Sequence, residues 1–458
     1  MEFDAIVIGA GQAGPPLAVR LAQSGRRTAI VERKLLGGTC VNVGCIPTKT
    51  LIASARAAHV CRTAREYGIV DRGEVRVDMS RVKARKDAVV RESSDGLNKW
   101  LEQTPNLTLI HGHARFVGPH RVQVDDRIFD APEIFIDVGG RAAVRGVEGL
   151  PDVSYFDNSS MMEVDFLPEH LVIVGGSYIG LEFAQMYRRF GSRVTVVEMG
   201  PRLIGREDED VSAEVQAILA HDGIEFRLSS KCLRAARDGS GIRVGVDCEG
   251  RAEDVSGGSH LLLAVGRVPN TSDLGLAEAG IAADERGFIT VDEELRTNVA
   301  GIWALGEANG RGAFTHTSYN DYEIVAANLL EGAQRRVSDR IPIYALFTDP
   351  PLGRVGMSEA EVRKSARKAL VAKMPMSRVG RARERGETQG FMKVLVDAES
   401  EHFLGATVLG IEGDEVIHTI ADLMYARASY TVMQHAVHVH PTVTELLPTL
   451  LGSLKPLD

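Results

Sequence analysis

Residues 3–14, FDAIVIGAGQAG, decide the fold of this chain. An apolar strand runs directly into a G-x-G-x-x-G turn, in which Gly9 makes the tight turn, Gly11 admits a pyrophosphate to the backbone, and Gly14 lets the following helix pack on the strand. The next strand ends in Glu32, about twenty residues further on, where an acid can hold a ribose hydroxyl. Strand, turn, helix and acid together predict a dinucleotide-binding domain with a parallel sheet.

The same pattern returns in the middle of the chain, in a turn built on Gly175, Ser177 and Gly180. Ser177 replaces the middle glycine, and as a small residue it still permits close approach of a phosphate. The strand after this turn ends in Glu198, which can accept hydrogen bonds from a ribose 2′-hydroxyl and would repel a 2′-phosphate. Two turns predict two dinucleotides, and Glu198 favours NADH over NADPH as the second, although two nearby arginines keep NADPH open.

A cysteine pair follows the first turn, in the segment CVNVGCIPTK that runs from Cys40 past Cys45. A chain of cytosolic type has little use for a structural disulfide. Beside a dinucleotide fingerprint, such a pair can store two electrons as a disulfide and pass them on as thiols. No neighbouring Cys/His set completes a zinc site, so no metal ligands are predicted. The pattern favours a flavin-dependent oxidoreductase that works through a dithiol.

Two other features of the sequence fit no motif. The remaining cysteines, Cys61, Cys232 and Cys248, are expected to be buried thiols. The basic run at 378–385, RVGRARER, is expected to be a loop with a solvated edge. A steering patch for an anionic substrate is the alternative for this run.

Composition bounds the class of protein. The chain has 458 residues, 49.6 kDa and a net charge of −9, enough for two or three domains. An acidic, unclustered charge balance argues against nucleic acid as a partner. No apolar run approaches the roughly 20 residues that a membrane helix needs. Because the N-terminus begins directly as a strand, without a leader, a cytoplasmic location is expected.

Periodicity predicts the remaining elements. Residues 78–102 have the spacing and charge of a solvent-facing helix, and residues 107–124 and 227–265 alternate like antiparallel strands. From about Pro342 the pattern changes to strands and amphipathic helices, which indicates a further domain.

Taken together, these motifs resemble those of the flavoprotein disulfide reductases, which include lipoamide dehydrogenase, glutathione reductase and mercuric reductase. The resemblance runs nearly end to end. The matching segments are residues 37–49 with both cysteines, the two nucleotide turns, residues 266–270 (GRVPN), residues 304–307 (ALGE), and residues 440–442 (HPT) with Glu445.

The resemblance implies an α/β fold with two Rossmann-like dinucleotide-binding domains, for FAD and NAD, and a C-terminal α+β dimerisation domain. The expected boundaries are 1–145 and 266–338 for the FAD domain, 146–265 for the NAD(P)H domain and 339–458 for the interface domain. It also implies a homodimer whose active site is shared across the interface.

The resemblance further implies an electron path from NADH to FAD and then to the disulfide. Cys45 would lie against the flavin as the charge-transfer thiol, and Cys40 would attack the substrate. His440 of the partner subunit would act as acid and base, oriented by Glu445. A thiolate is the attacking species, so a nearby base suits this chemistry.

Other residues acquire expected roles in the same way. Lys49 would pair with Glu182 near the flavin N5, Tyr178 would cover the nicotinamide pocket, and Glu307 would hold the flavin ribityl chain. Thr39, Gly266 and Arg267 match further nucleotide-contacting positions of the family.

Departures from the family pattern bear on the electron acceptor. No cysteine follows Cys248, which argues against a mercuric reductase or a large thioredoxin reductase, since both use C-terminal cysteines. Glu198 disagrees with a glutathione reductase of the usual NADPH preference. Glu307 stands where lipoamide dehydrogenases have Asp, and residues 136–140 (IDVGG) replace a usual Thr-Gly.

Residues 314–322 and 348–357 are similar to a mercuric-reductase-like subgroup, which includes a bacterial flavoprotein that resists reactive chlorine and reduces copper(II). A Cu(II)-type metal-ion reductase is therefore favoured. Dihydrolipoamide dehydrogenase is one alternative, supported by the segment HVHPT at 438–442. A flavin-only NADH oxidase or diaphorase and a non-catalytic subunit of a larger complex are the others.

Overall fold

The computed structural model describes residues 2–70, 73–239, 241–248 and 251–457. The first part of the chain forms β1 (Ala5–Ile8), α1 (Gly14–Gln23), β2 (Thr28–Glu32), α2 (Gly38–Asn42), α3 (Cys45–Thr63), α4 (Met79–Glu102), β3 (Leu107–His111), β4 (Ala114–Gly118), β5 (Arg121–Val124), β6 (Arg127–Asp130), β7 (Glu133–Ile136) and β8 (Gly140–Ala142). The middle part forms β9 (His170–Val174), α5 (Tyr178–Phe190), β10 (Arg193–Val197), α6 (Glu209–His221), β11 (Glu225–Arg227), β12 (Ser230–Asp238), β13 (Gly241–Cys248), β14 (Arg251–Gly258) and β15 (His260–Leu263).

The chain then returns through β16 (Arg267–Pro269), β17 (Ile302–Ala304) and α7 (Thr315–Glu331). The last part forms β18 (Ile343–Leu346), β19 (Leu352–Gly356), α8 (Glu359–Lys364), β20 (Ala369–Pro375), α9 (Gly380–Glu384), β21 (Phe391–Asp397), β22 (Phe403–Leu409), α10 (Gly413–Tyr425), α11 (Tyr430–Gln434), α12 (Leu447–Leu451) and β23 (Lys455–Pro456). Short 3₁₀ helices lie at Ala64–Tyr67, Leu150–Asp152, Ser160–Glu163, Gly306–Asn309, Val337–Asp339, Met376–Arg378 and Thr444–Leu446.

Two parallel sheets carry the two nucleotide turns. The first has the strand order β17-β7-β1-β2-β3 and the second the order β11-β10-β9-β15. In each sheet the first strand is fully buried and pairs in parallel with the strand that ends in the acid. Because the carboxyl ends of parallel strands meet at one edge, each turn lies beside its acid. The predicted α/β architecture with two Rossmann-like sheets is confirmed.

Two expected strand pairings are wrong. Within residues 227–265, β12, β13 and β14 are antiparallel as expected, but β15 pairs in parallel with β9. Residues 107–124 were expected to be antiparallel, but β3 is the outer strand of the first sheet and pairs in parallel with β2. The strands that follow β3, namely β4, β5 and β6, form a three-stranded antiparallel sheet of their own. The alternation of apolar and polar residues predicts that a strand forms but not which strand it pairs with. The long crossover through α3 and α4 makes the pairing of β3 with β2 parallel. The helix expected at 78–102 is confirmed, with Asp78 as its N-cap.

The C-terminal part is a six-stranded antiparallel sheet in the order β18-β19-β22-β21-β20-β23. The basic run at 378–385, expected as a loop, forms the short helix α9 instead. Val379 and Ala382 are buried in the hydrophobic core beside the six-stranded sheet, and this burial holds the segment as a helical turn. None of the described helices combines the length and apolarity that a bilayer crossing requires.

One hydrophobic core joins the redox helix to the rest of the molecule. Leu51 and Ala55 of α3 pack in the same cluster as the buried face of α5 and as Leu346 at the end of β18. An ionic network strengthens this junction: Asp349 binds Arg56 of α3 and Arg189 of α5. The helix α3, which starts at Cys45, is therefore held against α5 of the middle part and against the β18 region of the C-terminal part.

Candidate active site

The cysteine pair lies at the junction of two helices. Cys40 belongs to α2, and Cys45 is the first residue of α3. Gly44 permits the reversal between them, since a Cβ there would approach the Thr39 carbonyl oxygen to 2.8 Å. Both thiols are free, and Cys45 Sγ lies 3.0 Å from Oγ1 of Thr315. The redox role of the pair stays a prediction, and the fold adds Thr315, the first residue of α7, as a contact that no motif contains.

The two thiols have opposite acidities. The pKa of Cys45 is lowered to about 6, mainly by the hydrogen bond that Cys45 makes with Cys40. Burial of Cys45 raises this pKa, whereas Thr315 and the charge of Lys49 lower it further. The hydrogen bond to Cys45, together with burial, raises the pKa of Cys40. These two directions favour a thiolate on Cys45 and a retained proton on Cys40 in the reduced pair, which titrates as a coupled unit.

The expected Lys49–Glu182 pair is present. Lys49 Nζ lies 2.7 Å from Glu182 Oε2, and the same ammonium stands 4.4 Å from the centroid of the Phe347 ring. Glu182 is buried and accepts a second hydrogen bond from the Phe347 amide at 3.1 Å. Lys49 is thereby fixed one turn along α3 from Cys45, close enough for its charge to stabilise the thiolate.

The first nucleotide turn has the shape of a pyrophosphate cradle. A Cβ on Gly14 would meet the Gly9 carbonyl oxygen at 2.2 Å, so helix and strand pack through bare backbone. Glu32 Oε2 accepts from the Ala10 amide at 2.9 Å, and its Oε1 accepts from the Lys34 amide at 2.7 Å. The residues present therefore fit a dinucleotide with its ribose at the end of β2.

Asp137 is an addition that sequence reasoning did not assign. Its buried carboxyl accepts from the Gly14 amide at 2.8 Å and would lie 2.9 Å from a Cβ on Gly11. Burial, assisted by the nearby charges of Asp321 and Glu32, raises the pKa of Asp137 to about 8. A carboxyl that is neutral near pH 7 avoids placing a second buried charge beneath the cradle. Its only sequence signal was the departure from Thr-Gly.

Glu307 and Arg267 form a bidentate pair. Arg267 donates from Nε to Oε1 at 2.6 Å and from Nη2 to Oε2 at 2.9 Å. Gly140 packs against the same carboxylate, which a Cβ would approach to 2.6 Å. The longer glutamate thus directs its carboxylate to Arg267, while Gly266 makes the turn before it with φ +109°. Contact between Glu307 and a ribityl chain stays a prediction.

The second nucleotide turn repeats the geometry of the first. Glu198 Oε2 accepts from the Gly176 amide at 2.6 Å, and Oε1 accepts from the Gly200 amide at 2.7 Å. A Cβ on Gly180 would meet the Gly175 carbonyl oxygen at 2.0 Å, whereas the exposed Ser177 tolerates its side chain. Gly175, Ser177, Gly180 and Glu198 thus lie together at one turn, and their contact with a nucleotide stays a prediction.

Tyr178 opens α5 and lies between this turn and the redox helix. Its hydroxyl donates to Glu207 Oε1 at 2.6 Å, and its ring packs edge-on against Phe314 at 6.3 Å between centroids. Tyr344 donates to the same oxygen at 2.7 Å. Glu207 and Tyr344 were missed by sequence reasoning because no motif contains them.

His440 and Glu445 meet at the surface of the C-terminal domain. His440 Nδ1 lies 2.9 Å from Glu445 Oε2, with the histidine side chain 79% exposed and the glutamate 14%. Within the described part of one chain, no hydrogen bond or ion pair joins His440 to either cysteine. Arg381 of α9 donates to the Pro441 carbonyl from Nε at 3.2 Å and from Nη2 at 2.7 Å.

The other expectations have mixed outcomes. Thr39 is exposed in α2, and its carbonyl accepts from the Val43 amide at 2.9 Å. Cys61 was expected to be buried, which is wrong: it is exposed on the solvent side of α3. The side chains of Cys232 and Cys248 lie outside the described residues. Among the side chains that are described, His, Cys, Asp and Glu form no group of three that could hold a metal ion.

Comparison with known proteins gives the same assignment for the whole chain. A model of the pyridine nucleotide-disulphide oxidoreductase family matches residues 3–321, and a model of that family's dimerisation domain matches residues 343–451. The probable pyridine nucleotide-disulfide oxidoreductase RclA of Escherichia coli is 34% identical, over 99% of this chain and 100% of its own. A dihydrolipoyl dehydrogenase of Thermus scotoductus is 32% identical over 97% and 95% of the two chains.

A mercuric reductase of Streptomyces lividans is 33% identical over 96% and 94% of the two chains. Among solved structures, the Cu(II) complex of the HOCl-induced flavoprotein disulfide reductase RclA from Escherichia coli superimposes with a TM-score of 0.89 at 34% identity, covering 99% of each chain. Family, cradle geometry and cysteine pair agree, and the chain is an FAD-dependent member of the pyridine nucleotide-disulphide oxidoreductase family with that family's dimerisation domain.

Proposed function

We propose that this enzyme takes two electrons from NADH through FAD to the Cys40–Cys45 pair and delivers them to a metal ion of the Cu(II) type. The observation that carries the proposal is the meeting of Cys40 and Cys45 at the junction of α2 and α3, with Cys45 Sγ 3.0 Å from Thr315 Oγ1. FAD, when bound, accepts a hydride from NADH and passes the electron pair to the disulfide. The reduced pair, which holds one proton, then reduces two Cu(II) to two Cu(I), forms the disulfide again and releases that proton. The sum is NADH and two Cu(II) giving NAD⁺, two Cu(I) and one proton.

Each residue of the site has a share in this cycle. Lys49 and Thr315 stabilise the Cys45 thiolate, so that the electron pair is held beside the flavin. Cys40 keeps its proton until an acceptor engages its sulfur. In the dimer, His440 of the partner subunit takes up that proton, and the hydrogen bond of Nδ1 to Glu445 leaves Nε2 as the basic atom. The exposure of His440 in one chain supports this arrangement.

NADH is the proposed electron donor. Both carboxylate oxygens of Glu198 are held by backbone amides, at the end of the strand that a ribose would meet. A fixed carboxylate there accepts hydrogen bonds from a 2′-hydroxyl and disfavours a 2′-phosphate. Of the two nearby arginines, Arg202 donates instead to the Gly205 carbonyl, and Arg206 is exposed.

The acceptor has two candidates. Similarity to RclA, whose solved complex contains Cu(II), supports a metal ion, because thiolate is a soft ligand that suits Cu(I) and imidazole also binds copper. Similarity to dihydrolipoyl dehydrogenases, together with the HVHPT segment, supports lipoamide as the second candidate. Both acceptors need Cys40, whereas a flavin-only oxidase does not.

The test is anaerobic oxidation of NADH with Cu(II) or with lipoamide, by the wild type, Cys40→Ser and Cys61→Ser. Cys61 is an exposed thiol outside the site and controls for direct reaction of copper with any thiol. Copper turnover lost only in Cys40→Ser, with lipoamide inert, is the expected result. Fast lipoamide turnover would assign the second candidate. Turnover that survives Cys40→Ser would contradict the dithiol route.

A further inference from the structure

We infer that Glu207 and Tyr344 are positioning residues that together form a latch on Tyr178. Through this latch the C-terminal domain sets how readily the nicotinamide enters the cleft that Tyr178 covers. This inference rests on the proposed function and on the role that the family resemblance implies for Tyr178, which is to cover that cleft. The observation is that one carboxylate oxygen, Glu207 Oε1, accepts from both phenol groups, at 2.6 Å from Tyr178 and 2.7 Å from Tyr344.

The shared acceptor is firmly anchored. The Glu207 side chain is 1% exposed, and its second oxygen, Oε2, lies 3.6 Å from Nε of the buried Arg354. Arg354 is held in turn by hydrogen bonds from Nη1 to Thr407 Oγ1 at 2.9 Å and to the Ala406 carbonyl at 3.2 Å. Glu207 therefore keeps partners from β18 and β19 when Tyr178 departs, so the release of Tyr178 leaves no unpaired buried charge.

Two aromatic rings, those of Phe314 and Tyr344, contact Tyr178 but leave it partly exposed. Tyr344 stacks on Phe314 with centroids 5.5 Å apart and an angle of 8°, and Tyr178 meets both rings edge-on. Tyr178 is half-buried, and burial followed by the charge of Glu207 raises the pKa of its phenol. The same two causes raise the pKa of Tyr344. Both phenols thus remain donors across the physiological pH range.

The latch also joins the two halves of the electron path. Phe314 contacts the Tyr178 ring, and the next residue, Thr315, contacts Cys45. On the other side, the segment before Glu207 is tied to the nucleotide turn by a hydrogen bond from the Ile204 amide to the Gly176 carbonyl at 2.9 Å. Movement of the Tyr178 ring is therefore coupled to the C-terminal domain through Glu207.

The two tyrosines should affect nucleotide binding in opposite directions. Without its hydroxyl, the ring at 178 leaves the cleft more easily, so the open fraction rises and the apparent Kd falls. Without the Tyr344 hydroxyl, Tyr178 becomes the only phenol on Glu207 Oε1, so its departure costs more and the apparent Kd rises. A purely structural role would weaken binding in both variants.

The experiment titrates NAD⁺ into the oxidised, FAD-loaded dimer by calorimetry. Tyr178→Phe is expected to lower Kd about tenfold, and Tyr344→Phe to raise it about threefold, in keeping with one hydrogen bond to a carboxylate. The double variant should match Tyr178→Phe, because the effect of Tyr344 acts through Tyr178. Tyr155→Phe, at an exposed tyrosine outside the cleft, is the matched control.

Two outcomes separate this inference from the proposed function. A wild type that binds NAD⁺ with a Tyr344→Phe variant of equal or tighter affinity would overturn the latch alone. A double variant whose effect is the sum of the two single effects would do the same. A wild type that neither binds NAD⁺ nor is reduced by NADH would overturn the proposed function and the latch with it. Glu207 is left intact throughout, because its loss would strand the buried Arg354.

Discussion

Thr315 lies directly against the thiol that carries the negative charge: its Oγ1 is 3.0 Å from Cys45 Sγ. The two residues begin α7 and α3, so two helix N-termini, each with the positive end of its dipole, converge on one sulfur. Residues 270 positions apart in the sequence thus create one thiolate site.

Replacing Thr315 with valine should raise the thiolate midpoint of the reduced enzyme by about one pH unit, the worth of one hydrogen bond to a charged group. Thiolate exists above the pKa, so the charge-transfer absorbance between pH 6 and 7 should fall. Thr315→Ser keeps the hydroxyl and should titrate like the wild type. Equal midpoints in all three proteins would remove Thr315 from the thiolate site.

Lys49 and Glu182 should shift the same midpoint in opposite directions. The ammonium lowers the pKa of Cys45 and the carboxylate raises it. Lys49→Met should therefore raise the midpoint and Glu182→Gln should lower it. The same absorbance titration measures both, with flavin content as the control for folding. Shifts of the same sign would mean that the two variants act by disturbing α3, not through their charges.

Asp137 should make stability depend on pH. Its folded pKa is raised to about 8 by burial, so the neutral form is favoured in the folded state and the unfolded chain ionises first. Its stabilising contribution is complete below the ordinary aspartate range and is lost as pH rises through about 8. The free energy of unfolding of Asp137→Asn, relative to wild type, should increase by up to about 1.4 kcal/mol per pH unit and level off above that midpoint.

Denaturant unfolding at about pH 5, 7 and 9 measures this difference in free energy of unfolding, because these pH values lie below and above the midpoint at which the difference levels off. Asp125→Asn, at an exposed aspartate, is the control and should show no pH-dependent difference. A constant difference between Asp137→Asn and wild type over the whole range would contradict a raised pKa at this position.

Arg381 should position the segment that carries His440. Its two hydrogen bonds fix the Pro441 carbonyl, next to the acid–base residue. Arg381→Met should slow reoxidation of the dithiol by acceptor about tenfold, while reduction of the flavin by NADH keeps its rate. Rapid-mixing experiments separate the two half-reactions. Arg383→Met, at an exposed neighbour on α9, is the control, and slowing of both half-reactions would indicate general destabilisation instead.

The sequence predicts those parts of the fold that local chemistry controls. Gly9 and Gly14 lie where helix and strand touch through bare backbone, and Glu32 and Glu198 lie beside the turns because a parallel strand delivers its end there. The contacts of these residues with a nucleotide stay predictions. The pairing of β3 was wrong because alternation does not name a partner strand. The expected burial of Cys61 was wrong because α3 buries only one side and Cys61 lies on the other.

By itself, the sequence determined the family, the two nucleotide turns and the redox pair, since each is a short motif whose function depends on residues close together in the chain. Only the tertiary structure decided which side chains tune those motifs. Thr315 reaches Cys45, Asp137 lies under Gly14, and Tyr344 shares an acceptor with Tyr178 across domains. Such contacts depend on distances of a few ångströms between distant segments, and packing of the whole molecule, not local periodicity, sets those distances.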